Sequence, residues 1–194
     1  MSFEWNYPGA RWWKFDFHTH TPASKDTYWA KNSAPITPET WLLKYMAAEI
    51  DCVAITDHNS GEWIDLLKST YLEMKALAAR GTQPAGFREL YLFPGVEISV
   101  QGGLHLLAIF DPSSTSATIT SLLGGVGFPA HLHGETDSST EAACSRDSVI
   151  QVVEEIHRCG GMLFRHTRIK VKVCWKPQGQ ATGQQNMRMP SSGQ

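Results

Sequence analysis

His18 and His20 stand one residue apart at the end of the stretch Lys14-Phe15-Asp16-Phe17-His18-Thr19-His20-Thr21-Pro22. In an extended backbone, side chains at i and i+2 share a face. Two imidazoles would then lie side by side where a strand meets a loop. Imidazole is the commonest metal ligand, and its neutral nitrogen suits zinc, iron and manganese. An isolated His-x-His is more often an ordinary strand end, so the weight falls on the polar residues further along the chain. Asp57-His58 comes after the apolar run Cys52-Val53-Ala54-Ile55-Thr56, and Glu97 after the run Leu90 to Phe93. His105 lies near the start of the run Leu104 to Phe110, and His166 comes just after Met162 to Phe164.

The elements that must position these residues are legible in the same sequence. Phe15 and Phe17 alternate as in a short buried strand over about Trp13 to His18. A loop rich in Ser, Lys and Asp runs from Thr21 to Pro35. Thr37-Pro38-Glu39 then opens a helix, with Thr as the cap, Pro in the first turn and an acid beside it. Trp41, Leu42, Tyr45 and Met46 supply its buried stripe. Cys52 to Thr56 is continuously apolar, as a parallel strand covered on both faces would be. Ile64, Leu67, Tyr71 and Met74 mark a second helix over about Glu62 to Ala79, closed by Gly81. Pro94-Gly95 breaks the third strand, extended structure resumes at Val96, and Gly102-Gly103 is a turn. Asp111 to Arg146 has helical patches among many Gly, Ser and Thr residues, and its His131 and His133 read as solvated loop histidines. Asp147 or Ser148 caps a helix whose face carries Val149, Val152, Val153 and Ile156. Gly160-Gly161 end it before a last short strand.

Alternation of strand and helix with short connections predicts a parallel α/β domain. Active sites in such domains gather at the C-terminal ends of the strands. His18, His20, Asp57, His58, Glu97 and His166 all fall there, which turns the odds in favour of a metal cluster.

At 194 residues the chain can bury a real core as one domain. A net charge of −2 gives no case for general nucleic-acid binding, although a local phosphate site is compatible with it. The four cysteines form no Cys-x-x-Cys pair and no apolar signal segment opens the chain, so they read as reduced thiols of a cytoplasmic protein. No run is long enough for a membrane helix.

Taken together, Phe15-Asp16-Phe17-His18-Thr19-His20, Ile55-Thr56-Asp57-His58, Pro94-Gly95-Val96-Glu97 and Gly103-Leu104-His105-Leu106-Leu107 stand in the order used by the PHP (polymerase and histidinol phosphatase) family. The sequence resembles that family from about Arg11 to Gly161. The resemblance implies a distorted (β/α)7 barrel, here incomplete at about its first four to five βα units. It implies a cluster of two or three divalent ions, manganese, zinc or iron, at the C-terminal mouth, and hydrolysis of phosphate esters. It makes His18, His20, Asp26, His58, Glu97, His105 and His166 metal ligands, with Glu97 bridging two ions. Asp57 and His105 take the catalytic roles, Asp57 by orienting His58. The substrate would be a phosphorylated small molecule or a nucleic-acid end.

The fuller pattern from Trp12 to Ser24 is similar to the N-terminal PHP part of TrlF-like proteins, in which an AAA-like ATPase region comes next. No Gly-x-x-x-x-Gly-Lys-Ser/Thr loop occurs in this chain, so no ATPase activity carries over. The chain also departs from the family at its end. PHP proteins finish the site with a late Asp-x-His, and no acidic residue occurs after Glu155. Codons permitted for Met162 to Thr167, read from each third base, give Ala-Ile-Pro-Ala-His, which is the family pattern. The expectation is that the sequence after Gly161 is an out-of-frame reading of a longer gene. Residues 1–11 then form a lead-in, 12–168 a partial PHP domain, and 169–194 a disordered basic, Gln-rich tail.

Overall fold

A computed structural model describes residues 12–31, 35–100, 104–136 and 149–165. The lead-in, the Gly102-Gly103 turn, the cap at Asp147 or Ser148, His166 and the tail lie outside these residues.

Local sequence sets most of the elements. Strand β1 (Phe15–Thr19) is followed by a four-residue helix, α1 (Tyr28–Lys31), inside what the sequence reads as uninterrupted loop. Helix α2 (Pro38–Ala47) starts as Thr37-Pro38-Glu39 requires, with the Thr37 hydroxyl accepting the Thr40 N–H at 3.1 Å. Strand β2 (Cys52–Ile55) leads to α3 (Glu62–Ala78), and Gly81 past its end takes φ +73°. Strands β3 (Tyr91–Val100) and β4 (Leu104–Ile109) come next. Then come α4 (Ser116–Gly125), a 3-10 turn (Ala130–Leu132), α5 (Val149–Arg158) and β5 (Met162–Arg165).

The five strands form one sheet in the order β1-β2-β3-β4-β5. Strands β1, β2 and β3 are parallel, whereas β4 runs antiparallel to β3 and β5 antiparallel to β4. This corrects the expectation of a purely parallel sheet. Only Gln101, Gly102 and Gly103 separate β3 from β4, and a parallel crossover needs a dozen residues or more.

A second correction concerns Pro94-Gly95, which does not break β3. The strand changes partners there: Pro94 ends the register with β2, and Gly95 begins the register with β4. Pro94 lacks an N–H, but its carbonyl accepts the Phe110 N–H at 2.8 Å, so the loss is one bond at the end of β4. Gly95 is needed because a Cβ would sit 2.9 Å from both the Ala108 carbonyl oxygen and Thr56 Cγ2.

The sheet has two unlike faces. Val53, Ile55, Leu92, Val96, Ile98, Leu106 and Ala108 pack against Trp41, Leu42 and Met46 of α2, Ile64 and Leu67 of α3, Leu122 of α4 and Ile156 of α5 in one buried core. Each such side chain contributes roughly 1.5–3 kcal/mol on leaving water. On the other face, Phe17 of β1 meets Phe93 of β3 at 5.8 Å between ring centroids and Phe164 of β5 at 5.6 Å. Strands β1 and β5 are the two edges of the sheet. Four flat strand spacings would hold those edges roughly 19 Å apart. The sheet is therefore curled, with the helices packed on its convex side and the phenylalanines on its concave side. Half-barrel curvature of this kind is what the chain shows; a closed seven-unit barrel is not seen among the described residues.

Candidate metal centre

The concave face carries the chemistry because of an irregularity in β1. Its register with β2 pairs Asp16 with Val53 and Thr19 with Ile55, so three steps on β1 match two on β2. Such a bulge places two consecutive side chains on one face. Phe17 accordingly meets Phe93 while its neighbour His18 meets Glu97, and Phe93 and Glu97 share a face of β3. Thr19 points the other way and is locked there. Its N–H donates to Thr56 Oγ1 at 2.9 Å and its hydroxyl to the Ala54 carbonyl at 2.6 Å. His20, the next residue, returns to the concave face. Its carbonyl accepts the Trp41 Nε1–H at 3.1 Å, so a core tryptophan of α2 fixes its backbone.

Glu97 is the centre of the arrangement and is only 2% exposed. Its Oε2 lies 2.7 Å from His18 Nε2, 3.3 Å from His58 Nδ1 and 3.5 Å from His20 Nε2. Its Oε1 lies 2.7 Å from His105 Nδ1. The His20 and His58 rings stack at 4.4 Å. Among the described residues, two sets of donors are each close enough to hold one metal ion: His18, His20 and Glu97, and His58, Glu97 and His105. Glu97 belongs to both.

The donor set fits a divalent cation. Burial, reinforced by the His58 charge, pushes His20 down to about 4. Burial also lowers His58, with the Glu97 and Asp26 charges opposing. Both shifts favour the neutral imidazole, the form that ligates a metal. Burial alone would raise the Glu97 carboxyl. Hydrogen bonds from His105 and His18 and the charge of His58 outweigh it, and hold Glu97 well below the usual carboxylate range. His58 Nδ1 is buried with no hydrogen-bond partner. An orphaned imidazole nitrogen facing a carboxylate oxygen is satisfied when both ligate one cation.

Asp57 lies beneath this cluster rather than in it. Its carboxylate is fully buried and accepts the Thr21 N–H, the Thr21 hydroxyl and the Ser24 hydroxyl, each at 2.6 Å. It is linked to His58 through Ser24, whose Oγ donates to Asp57 and accepts the His58 backbone N–H at 2.9 Å. These bonds tie the Asp57 carboxylate to the loop after β1. Burial pushes its carboxyl up to about 6, against the hydrogen bonds from Ser24 and Thr21.

Asp26 sits at the rim, 47% exposed at its side chain, with Oδ2 3.6 Å from His58 Nε2. Sequence reasoning assigned no role to Ser24, Thr21 or Asn59. Asn59 takes φ +48°, donates its N–H to the Glu97 carbonyl, and accepts the Ser99 N–H through Oδ1 at 2.9 Å. It thereby bolts the loop after β2 to β3 at Glu97 and Ser99. An Asn in a strand-end Asp-His-Asn-Ser-Gly run is a signal for such a left-handed turn.

The stretch around His131 and His133, read as solvated loop histidines, is partly docked onto this site. The Gly134 N–H donates to the His58 carbonyl at 3.1 Å and its carbonyl accepts the Lys25 N–H at 3.0 Å. Lys25 Nζ pairs with Glu135 at 2.8 Å. His133 is half-buried, with its ring 5.9 Å from that of Phe128, while His131 is exposed. Among the described residues, no helix is long and apolar enough to cross a membrane.

No family model matches the sequence, and no curated protein matches it. Among solved structures, the chain is similar to a candidate metal-dependent phosphoesterase from Bifidobacterium adolescentis, at 18% identity and a TM-score of 0.41. That match covers 78% of this chain and 65% of the other. It is also similar to a two-domain protein from Bacteroides vulgatus that contains a predicted PHP-like metal-dependent phosphoesterase, at 17% identity and a TM-score of 0.40. The match covers 78% of this chain and 34% of that one. An amidohydrolase from Chromobacterium violaceum with bound sulfate matches at 20% identity and a TM-score of 0.33, over 76% and 50% of the two chains. This chain thus spans less than two thirds of the length of each.

Proposed function

We propose that the chain carries the metal centre of a PHP-type phosphoesterase that hydrolyses a phosphomonoester or a nucleic-acid phosphodiester. One observation carries the reading: the buried Glu97 carboxylate is shared by two histidine sets, with Oε2 beside His18, His20 and His58 and Oε1 beside His105. The order of the four motifs along the sequence supports it independently. His18, His20 and Glu97 would hold one ion, and His58, His105 and Glu97 a second. Mixed imidazole and carboxylate donors suit manganese, zinc or iron. When bound, paired ions neutralise phosphate oxygens and lower the pKa of a coordinated water. Glu97 keeps the two sets at a fixed separation. Asp26, at the open rim beside His58, offers a further oxygen to an ion or to a ligand entering from solvent.

The test uses the full chain. Purified protein is analysed for bound metal, then offered small phosphoesters and single-stranded oligonucleotides with manganese. Hydrolysis of one class, abolished by a chelator, is the expected result and separates a phosphatase from a nuclease. Less than one tightly bound divalent ion per chain, with no hydrolysis, overturns the reading.

A second reading is a metal-binding or regulatory module without turnover. The openness of the cluster among the described residues favours it: the His18 side chain is 33% exposed, that of His105 31% and that of Asp26 47%, whereas a hydrolytic pocket encloses most of its ligand. Bound ions with no hydrolysis of either class would select this reading. The finer placement beside TrlF-like, ATPase-linked proteins, and the shifted frame after Gly161, rest on the sequence motifs. The nucleotide sequence tests both: a shifted frame without family-like sequence sinks the frame idea, and no ATPase sequence downstream sinks the other.

A further inference from the structure

We infer that Ser24 is a positioning residue that fixes the tautomer of His20. The inference rests on the reading of His20 as a metal ligand. Ser24 has one hydroxyl proton and two lone pairs. Three groups surround its Oγ: Asp57 Oδ1 at 2.6 Å, the His58 N–H at 2.9 Å and His20 Nδ1 at 3.3 Å.

Asp57 Oδ1 already accepts the Thr21 N–H, so it is an acceptor and takes the Ser24 proton. The His58 N–H can only donate, and it fills one lone pair of Oγ. The second lone pair is what remains for His20 Nδ1. A proton on Nδ1 then makes the third hydrogen bond, and Ser24, which is fully buried, is satisfied completely. The opposite tautomer would set the Nδ1 lone pair against the Oγ lone pair inside a closed site.

The consequence appears at the other side of the ring. With the proton on Nδ1, Nε2 carries a lone pair, and Nε2 faces Glu97 Oε2 at 3.5 Å. Lone pair against carboxylate is unfavourable until a cation lies between them. Ser24 therefore holds His20 in the form that can ligate, against the pull of Glu97 for an Nε2 proton. A single hydroxyl also ties the two rings together, since it anchors His20 by its side chain and His58 by its backbone. Asp57 is what commits that hydroxyl to donate away from both.

The experiment reads ring nitrogens directly. Long-range proton–nitrogen correlation spectra of isotope-labelled, metal-free full chain, near neutral pH, show which nitrogen of His20 carries the proton. The expected result is Nδ1–H in the native chain and a shift to Nε2–H in Ser24→Ala with its amide spectrum otherwise folded. Zinc affinity, measured by competition with a chelator, should fall about 10–100-fold in the variant. Nε2–H in the native chain overturns the inference, and so does a Ser24→Ala chain that keeps Nδ1–H. Should the variant not fold, the native spectrum alone still decides. A chain with Nδ1–H that binds no zinc sinks the metal-centre reading and leaves Ser24's role standing. A chain with Nε2–H that binds zinc does the reverse.

Discussion

A carboxylate as buried as Glu97 is stable only because cationic or donating partners surround it. His18 Nε2 and His105 Nδ1 each sit 2.7 Å from one of its oxygens. Glu97→Gln keeps the shape but removes the charge shared by both ligand sets. Its effect on metal binding should exceed the about 10–100-fold loss typical of an outer hydrogen-bond partner. Metal analysis of the dialysed variant checks this, and near-native ion content would sink the shared-carboxylate reading. Asp57 gives a pH prediction. Its folded value, about 6, lies above its ordinary value of 3.8, so the folded state holds a proton that the unfolded chain has lost. Its contribution to stability is full below about 3.8 and is lost as pH rises through about 6. In urea unfolding of metal-free protein across that window, Asp57 adds a falling component with rising pH, against the rising one that the lowered His20 and His58 contribute. Asp57→Asn should remove that part of the slope. An unchanged slope in the variant would place the titrating group elsewhere.

At the level of elements, β3 decides the geometry of the site. It pairs with β2 up to Pro94, with β4 from Gly95, and presents Glu97 two residues later. Gly95→Ala would push a Cβ to 2.9 Å from the Ala108 carbonyl oxygen of β4 and from Thr56 Cγ2 just past β2. The expected cost is about 1–3 kcal/mol of stability by overpacking, with weakened metal binding because Glu97 moves with the strand. A fully stable Gly95→Ala chain with native metal affinity would contradict this. Helix α2 acts through one bond. Trp41→Phe fills most of the same space but leaves the His20 carbonyl without its donor, at a cost of about 1 kcal/mol. Denaturant midpoints compare the two. The α2 cap was legible because Thr37, Pro38 and Glu39 act locally. The change of partner in β3 was not, because Pro-Gly reads as a break until the neighbouring strands are known.

At the scale of the whole molecule, helices cover the convex side of the sheet, and among the described residues apolar side chains stay exposed on the concave side. Phe15 is 54% exposed, Tyr91 48% and Met162 62%, all on the face that also carries the histidines. Apolar surface of this kind drives association in water. The isolated chain should self-associate with rising concentration in sedimentation experiments. Replacing Phe15 and Met162 together by Ser should reduce that association while leaving metal binding intact. A wild-type chain that stays monomeric at high concentration would show that the surface is covered in solution.

The order and type of most elements are written locally, because helix caps, apolar periods and strand-end polar residues act over a few residues. His18, His20, His58, Glu97 and His105 stand out in one dimension for a similar reason: they are metal-ligating residue types in or beside successive strands. What those residues face is settled only when the strands come together. The bulge in β1 turned Phe17 and His18 to the same side, where simple alternation would have put them on opposite sides. The reversal at β4 brought His105 onto Glu97. Burial beneath the loop set the Asp57 carboxylate against Ser24 and Thr21. Each outcome depends on register, strand direction or solvent exclusion, which belong to pairs of distant segments and have no local code.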